Sequence, residues 1–136
     1  MEYVEVSEDI ILLCNSYNEK GNARGVNDYF VVERIKGDYQ LFVSGGIIYI
    51  YNGKTYECDI NGAITKKIIQ RYIEKNLLRS TTVNRIYNLF FMDCDLCKSE
   101  SEINNFPDTW IPFKDYLYSI KDNVIHEYKP DYRVIN

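Results

Sequence analysis

Asn52-Gly53 stands between two runs rich in β-branched and aromatic residues, Ile47-Ile48-Tyr49-Ile50-Tyr51 and Lys54-Thr55-Tyr56-Glu57-Cys58. Asn-Gly supplies both positive-φ positions of a type I′ turn, whose twist matches that of paired strands. Residues 47–51 are therefore predicted to pair antiparallel with 54–58. A lone hairpin is marginally stable in water. A third strand at 41–43, joined through Ser44-Gly45-Gly46, makes the unit a small meander with a face able to support a core.

That face needs a partner, and the residues after it provide one. In 63–78, Ile64, Ile68, Ile69, Tyr72, Ile73 and Leu77 recur at separations that trace one apolar stripe around a helix. Ser80-Thr81-Thr82 offers an N-cap for a second helix, 83–92, whose apolar positions are Val83, Ile86, Tyr87, Leu89, Phe90 and Phe91. The expected fold class is α+β: a small antiparallel sheet with a central Asn-Gly hairpin, packed against the helix pair 63–78 and 81–92. Ile68, Ile69, Ile73, Leu77, Ile86, Leu89 and Phe90 are the expected core. Elsewhere, Ser7 before Glu8-Asp9 starts a helix at 8–17, residues 18–22 turn, and 26–35 reads as a helix closed by Gly37-Asp38. A polar, acidic loop at 94–105 precedes strands at 110–113 and 117–120, and Lys121-Asp122-Asn123 turns the chain between 116–120 and 124–128.

The 136 residues suit one domain, 1–136, and at 46% hydrophobic the chain has apolar material enough for a core. Its longest unbroken apolar stretches are about five residues, against the ~20 a spanning helix needs, and no basic segment precedes an apolar one at Met1. The expectation is a cytoplasmic protein without a membrane partner, its four cysteines reduced thiols. A net charge of −4 argues against a surface that grips nucleic acid all over. The heavy use of Ile, Asn, Lys and Tyr, with 13 tyrosines, points to an AT-rich coding sequence of the kind found in low-GC bacteria, their mobile elements and large DNA viruses.

Against that acidic background, Lys66, Lys67, Arg71, Lys75, Arg79 and Arg85 fall within twenty residues that hold one acid, Glu74. A helix face so charged can hold phosphates; it can also simply keep the chain soluble. Asp93-Cys94-Asp95 has the spacing by which two carboxylates share a metal, yet it follows a helical pattern and lacks the further acids such sites need. Cys94-Asp95-Leu96-Cys97 is half of a zinc knuckle whose other ligands would be Cys58 and His126, each alone and distant. No phosphate loop, nucleophile elbow or Ser/His/Asp arrangement is visible. The residues thus point to no catalytic group, no metal and no cofactor.

Three spaced patterns together resemble one family. They are Gly21-Asn22-Ala23-Arg24 ahead of an apolar segment; Ile48-Tyr49-Ile50-Tyr51-Asn52-Gly53-Lys54-Thr55-Tyr56 followed by a helix pair opening Thr81-Thr82; and Ile111-Pro112-Phe113-Lys114 leading to Tyr128-Lys129-Pro130-Asp131-Tyr132. Their order is similar to the module just upstream of the superfamily 3 helicase domain in phage and plasmid primase-helicases, with a related module in the poxvirus primase-helicase. The resemblance covers residues 21–136 and departs at Asp115-Tyr116, where the family usually has Asn-Gly. It implies a non-catalytic, collar-type region that helps assemble a hexameric ATPase ring and leads DNA toward its channel. The implied partners are single-stranded or forked DNA, held weakly, the helicase ATPase ring, and further copies of the chain. Two alternatives stay open: a free-standing interaction or regulatory protein of a mobile element, and a small metal-dependent nucleotidyl enzyme using Asp93 and Asp95.

Overall fold

The computed structural model describes residues 2–135. Ser7 accepts a hydrogen bond from the Ile10 amide and opens α1, Glu8–Cys14. The expected helix at 8–17 ends early, because Asn15–Tyr17 becomes a strand, β1, paired antiparallel with β2, Ala23–Val26. The Asn18 carboxamide closes the turn between them by accepting from the Lys20 and Asn22 amides. The helix α2, Asp28–Asp38, follows and ends at the expected place.

The meander is β3, Leu41–Ser44, β4, Ile47–Tyr51, and β5, Tyr56–Asp59, in the order β3-β4-β5. Its turns are the reverse of those expected. Ser44 pairs with Ile47 across Gly45 and Gly46, both at positive φ (59° and 75°), so the two-residue turn with two left-handed positions is Gly-Gly. Between β4 and β5, Tyr51 pairs with Tyr56, the loop is four residues long, and Asn52 does not adopt positive φ. Asn52 acts through its side chain instead, accepting from the Lys54 and Thr55 amides.

The helix expected over 63–78 is α3, Ala63–Gln70, followed by a separate turn of 3-10 helix at Lys75–Leu77. No Gly or Pro interrupts it. Asn15 does: its Nδ2 donates to the Tyr72 carbonyl (3.0 Å) and its Oδ1 accepts from the Glu74 amide (3.2 Å), taking backbone groups that a continued helix would use. The start of α3 is held by buried Asp59, which accepts from the Ile64 and Thr65 amides (3.1 and 2.8 Å) and the Thr65 hydroxyl (2.6 Å). Gly62 before it has φ of 72° and lies flat against the Tyr87 ring, where a Cβ would come within 2.6 Å of the ring. The last helix, α4, is Ser80–Phe91, capped at Arg79 without a side-chain bond, so the expected hydroxyl cap is not made.

Val43, Ile48 and Ile50 on one face of the sheet join Val31, Val32 and Ile35 of α2, Ile68 and Ile69 of α3, and Ile86 and Phe90 of α4 in one core cluster. Three helices rather than a pair cover the sheet, and Leu77 and Leu89 are half-buried at the margin rather than central. The other face carries Phe42, Tyr49, Tyr51 and Tyr56, whose rings pack at 4.8–5.1 Å. The C-terminal segment pairs along the β5 edge, with the Tyr56 amide donating to the Val134 carbonyl. The remaining strands are β6, Trp110–Pro112, β7, Leu117–Ser119, and β8, Val124–His126, a second antiparallel meander. At the departure from the family pattern, Pro112 pairs with Leu117 across a four-residue loop in which Phe113 stacks on Tyr116. The chain is an α+β protein, and among the described residues no helix is long and apolar enough to cross a membrane.

Candidate nucleic-acid interface

The break after α3 opens a concavity at the surface. Because Asn15 also donates to the Ile11 carbonyl (2.8 Å), it ties α1, β1 and the 71–74 connection together, and a groove of about 940 Å³ opens over the joint. One side comes from Tyr3 and α1, the other from the end of α3 and the residues up to Leu78, with the β1–β2 turn between them. Lys67, Arg71 and Lys75 line it, with Glu8 and Glu74 as its acids. A second groove of about 290 Å³ carries Lys66 and Arg79 and shares Gln70 and Leu78 with the first. Five of the six candidate cations therefore line two adjoining depressions.

Their settings differ. The Arg71 guanidinium lies 5.3 Å from the centre of the Tyr3 ring and Lys66 Nζ lies 4.8 Å from that of Tyr87, contacts that orient a cation without neutralising it. Lys67 and Lys75 are exposed and make no ion pair among the described residues. Glu74 is held in place by the Tyr17 hydroxyl, which donates to it at 3.2 Å; burial and that bond raise the Tyr17 pKa. Arg85 stands apart: its guanidinium grips both oxygens of Asp28 at the start of α2, and that hydrogen bonding raises its pKa further. It is a tie between α2 and α4 and lines neither groove, so the structure does not bring it together with the other five candidate cations.

The acidic and cysteine motifs are placed differently again. Lys36 donates to Asp93 at 2.8 Å and lies 3.7 Å from Asp95, so a lysine occupies the position between the two carboxylates that a metal would need. The hydrogen bond to Asp93 raises the Lys36 pKa and keeps it charged. Cys94 and Cys97 are exposed beside α4, Cys58 is on β5, and the His126 ring stacks on Trp110 at 3.8 Å. Among the described residues no three His, Cys, Asp or Glu side chains converge on a metal position.

Sequence reasoning missed the N-terminal half of the groove. Tyr3, Glu8 and Tyr17 reach it only through the fold, although Gly21-Asn22-Ala23, which also lines it, is the first of the family-like patterns. Compared with models of known families and with curated proteins, the chain finds no match.

Proposed function

We propose that the chain is a non-catalytic, cytoplasmic DNA-replication module of a mobile-element or viral primase-helicase, which contacts DNA without reading its sequence and supports assembly of an oligomeric ring. The observation that carries this reading is the basic strip itself: Lys66, Lys67, Arg71, Lys75 and Arg79 line adjoining grooves on an otherwise acidic chain. Long flexible cations reach phosphates but do not read base edges, so binding is weak and sequence-indifferent. Arraying copies in a ring adds the weak contacts through avidity.

The test is fluorescence anisotropy of labelled single strands and forks against an oligomeric or helicase-fused form across a salt series. Engaging the three cations of the larger groove gives a log–log salt slope of roughly −2 on single strands, at ~0.7 per phosphate. Charge reversal at Lys67 and Arg71 weakens every sequence alike and flattens that slope, whereas Arg85→Glu leaves DNA binding unchanged. Undiminished binding by the Lys67/Arg71 reversal removes the groove from the mechanism. A second reading, an interaction protein, draws on Ile111, Phe113, Ile120 and Ile125, all exposed on or beside the second meander. Such apolar surface is what a protein partner would cover.

A further inference from the structure

We propose that the larger groove seats a single nucleotide unit, an unpaired base with its phosphate, so that a free nucleoside phosphate occupies it and competes with a DNA strand. The inference deepens the nucleic-acid reading of the same groove. Two chemistries meet there. Lys67, Arg71 and Lys75 supply positive charge, while Tyr3, Tyr17, Ile11, Leu12, Ile73 and Leu78 supply apolar and aromatic surface. A duplex presents phosphates outward and hides its base faces, so a site for duplex phosphates alone has no use for an apolar, aromatic lining. A nucleotide with a free base face uses both parts.

The charge balance points the same way. Three cations face two carboxylates, Glu8 and Glu74, which leaves a net charge of +1 in the groove. Glu74 is fixed there from two directions, by the Tyr17 hydroxyl on its carboxylate and by Asn15 on its amide. A bare anion gains little from such a site, so the base must contribute much of the binding. Arg71 is already laid over Tyr3, and a guanidinium plane is itself a surface on which a base stacks. The carboxamides of Asn22, Gln70 and Asn76 each offer donors and an acceptor, which suits any base edge and selects none strongly. The volume, about 940 Å³, lies within the roughly 300–1,000 Å³ of small-molecule sites.

The experiment is an amide-resolved NMR titration of the full chain with three probes at matched ionic strength: thymidine monophosphate, inorganic phosphate and a ten-residue oligothymidylate. The expected result is saturable shifts at Asn22, Gln70, Arg71 and Asn76 with the nucleotide, at least tenfold weaker shifts with phosphate, and displacement of the oligomer by the nucleotide. Tyr3→Ala weakens the nucleotide about tenfold and leaves phosphate unchanged. Should circular dichroism show Tyr3→Ala unfolded, Tyr17→Ala carries the same expectation. Phosphate binding as tightly as nucleotide overturns the inference, as does oligomer binding that the nucleotide neither matches nor displaces; the latter leaves the DNA reading standing. Nucleotide binding without oligomer binding overturns the claim that the two compete for the groove, while the DNA reading is decided on the oligomeric form. Binding of neither overturns the inference.

Discussion

The two three-stranded meanders, β3–β5 and β6–β8, share a pairing pattern and a four-residue loop, yet they are not equivalent pieces of structure. In the first, Val43, Ile48 and Ile50 join residues of three helices in one core, and Phe42 and Tyr56 on the opposite face are buried too. In the second, strands of three residues bury Leu117 and Ser119 and leave Ile111, Val124 and Ile125 in water. Strand pairing is thus a local matter decided by turns and β-branched residues. Contribution to the core depends on whether another element lies across the sheet. The first meander shares one core cluster with α2, α3 and α4; among the described residues, none from β6–β8 belongs to that cluster.

The strongest way to break this comparison is a pair of truncations. Ile50 is 1% exposed and Ile125 is 61% exposed. Ile50→Ala should lose about 3 kcal/mol in urea unfolding, through lost transfer energy and the cavity left behind. Ile125→Ala should stay within about 0.5 kcal/mol of the parent. Equal losses would show that the second meander is covered in solution by something the single chain does not supply.

Next in size is Asn15→Ala, which removes the tie between the core and the groove. Three hydrogen bonds of a side chain that is 2% exposed are lost, so about 2–3 kcal/mol of stability should go with them. The shifts of residues 71–78 in an NMR spectrum should move while those of β6–β8 do not. Movement confined to the second meander would contradict the link between Asn15 and the helix break.

Thiol chemistry sharpens the same contrast between core and periphery. Burial pushes the Cys14 thiol up to about 11, whereas Cys58, Cys94 and Cys97 are exposed. A colorimetric thiol reagent should find three fast cysteines in the folded chain and the fourth only on unfolding. The folded pKa of Cys14 lies above the ordinary value near 9, so its stabilising contribution is complete below that value. It is lost as pH rises from about 9 to about 11, and Cys14→Ser should remove that alkaline dependence.

The smallest effect concerns an ion pair that joins the two meanders, Lys54 with Asp115, both largely exposed. Hydrogen bonding to Lys54 holds the Asp115 carboxyl below the usual range. Its contribution is therefore present above the unfolded carboxylate pKa and fades as pH falls through the folded one. Asp115→Asn should flatten the acid limb of a stability–pH curve only slightly, as expected of a solvated pair. A large flattening would mean that the two sheets depend on each other more than their burial indicates.

Particular residues show what was legible in the chain and why the rest was not. The meander, the apolar stripe of α3, the Ser7 cap and the turn at Asn18 follow from interactions between residues close in sequence, where periodicity and turn chemistry operate. The type I′ turn was misplaced because Gly45-Gly46 meets its φ requirement as well as Asn-Gly does, and pairing register decided between them. The basic strip was visible as charge, but the departure of Arg85 was not: its partner Asp28 is 57 residues away. Lys36 lies 57 residues from Asp93, the same separation that hid the neutralisation of the acidic motif.

The sequence by itself determined the α+β class, the elements of the first meander and the strip of positive charge at residues 66–79. Each rests on local spacing, which the chain carries into any fold. Only the tertiary structure decided that Asn15 would cut the helix after Gln70, that Tyr3 and Tyr17 would wall the cations into a groove, and that Arg85 and Asp93 would be paired away from it. Those outcomes depend on groups tens of residues apart meeting in space. A buried carboxamide or an ion pair is decided by which donor and acceptor the packed core brings within about 3 Å of each other, and no local pattern records that.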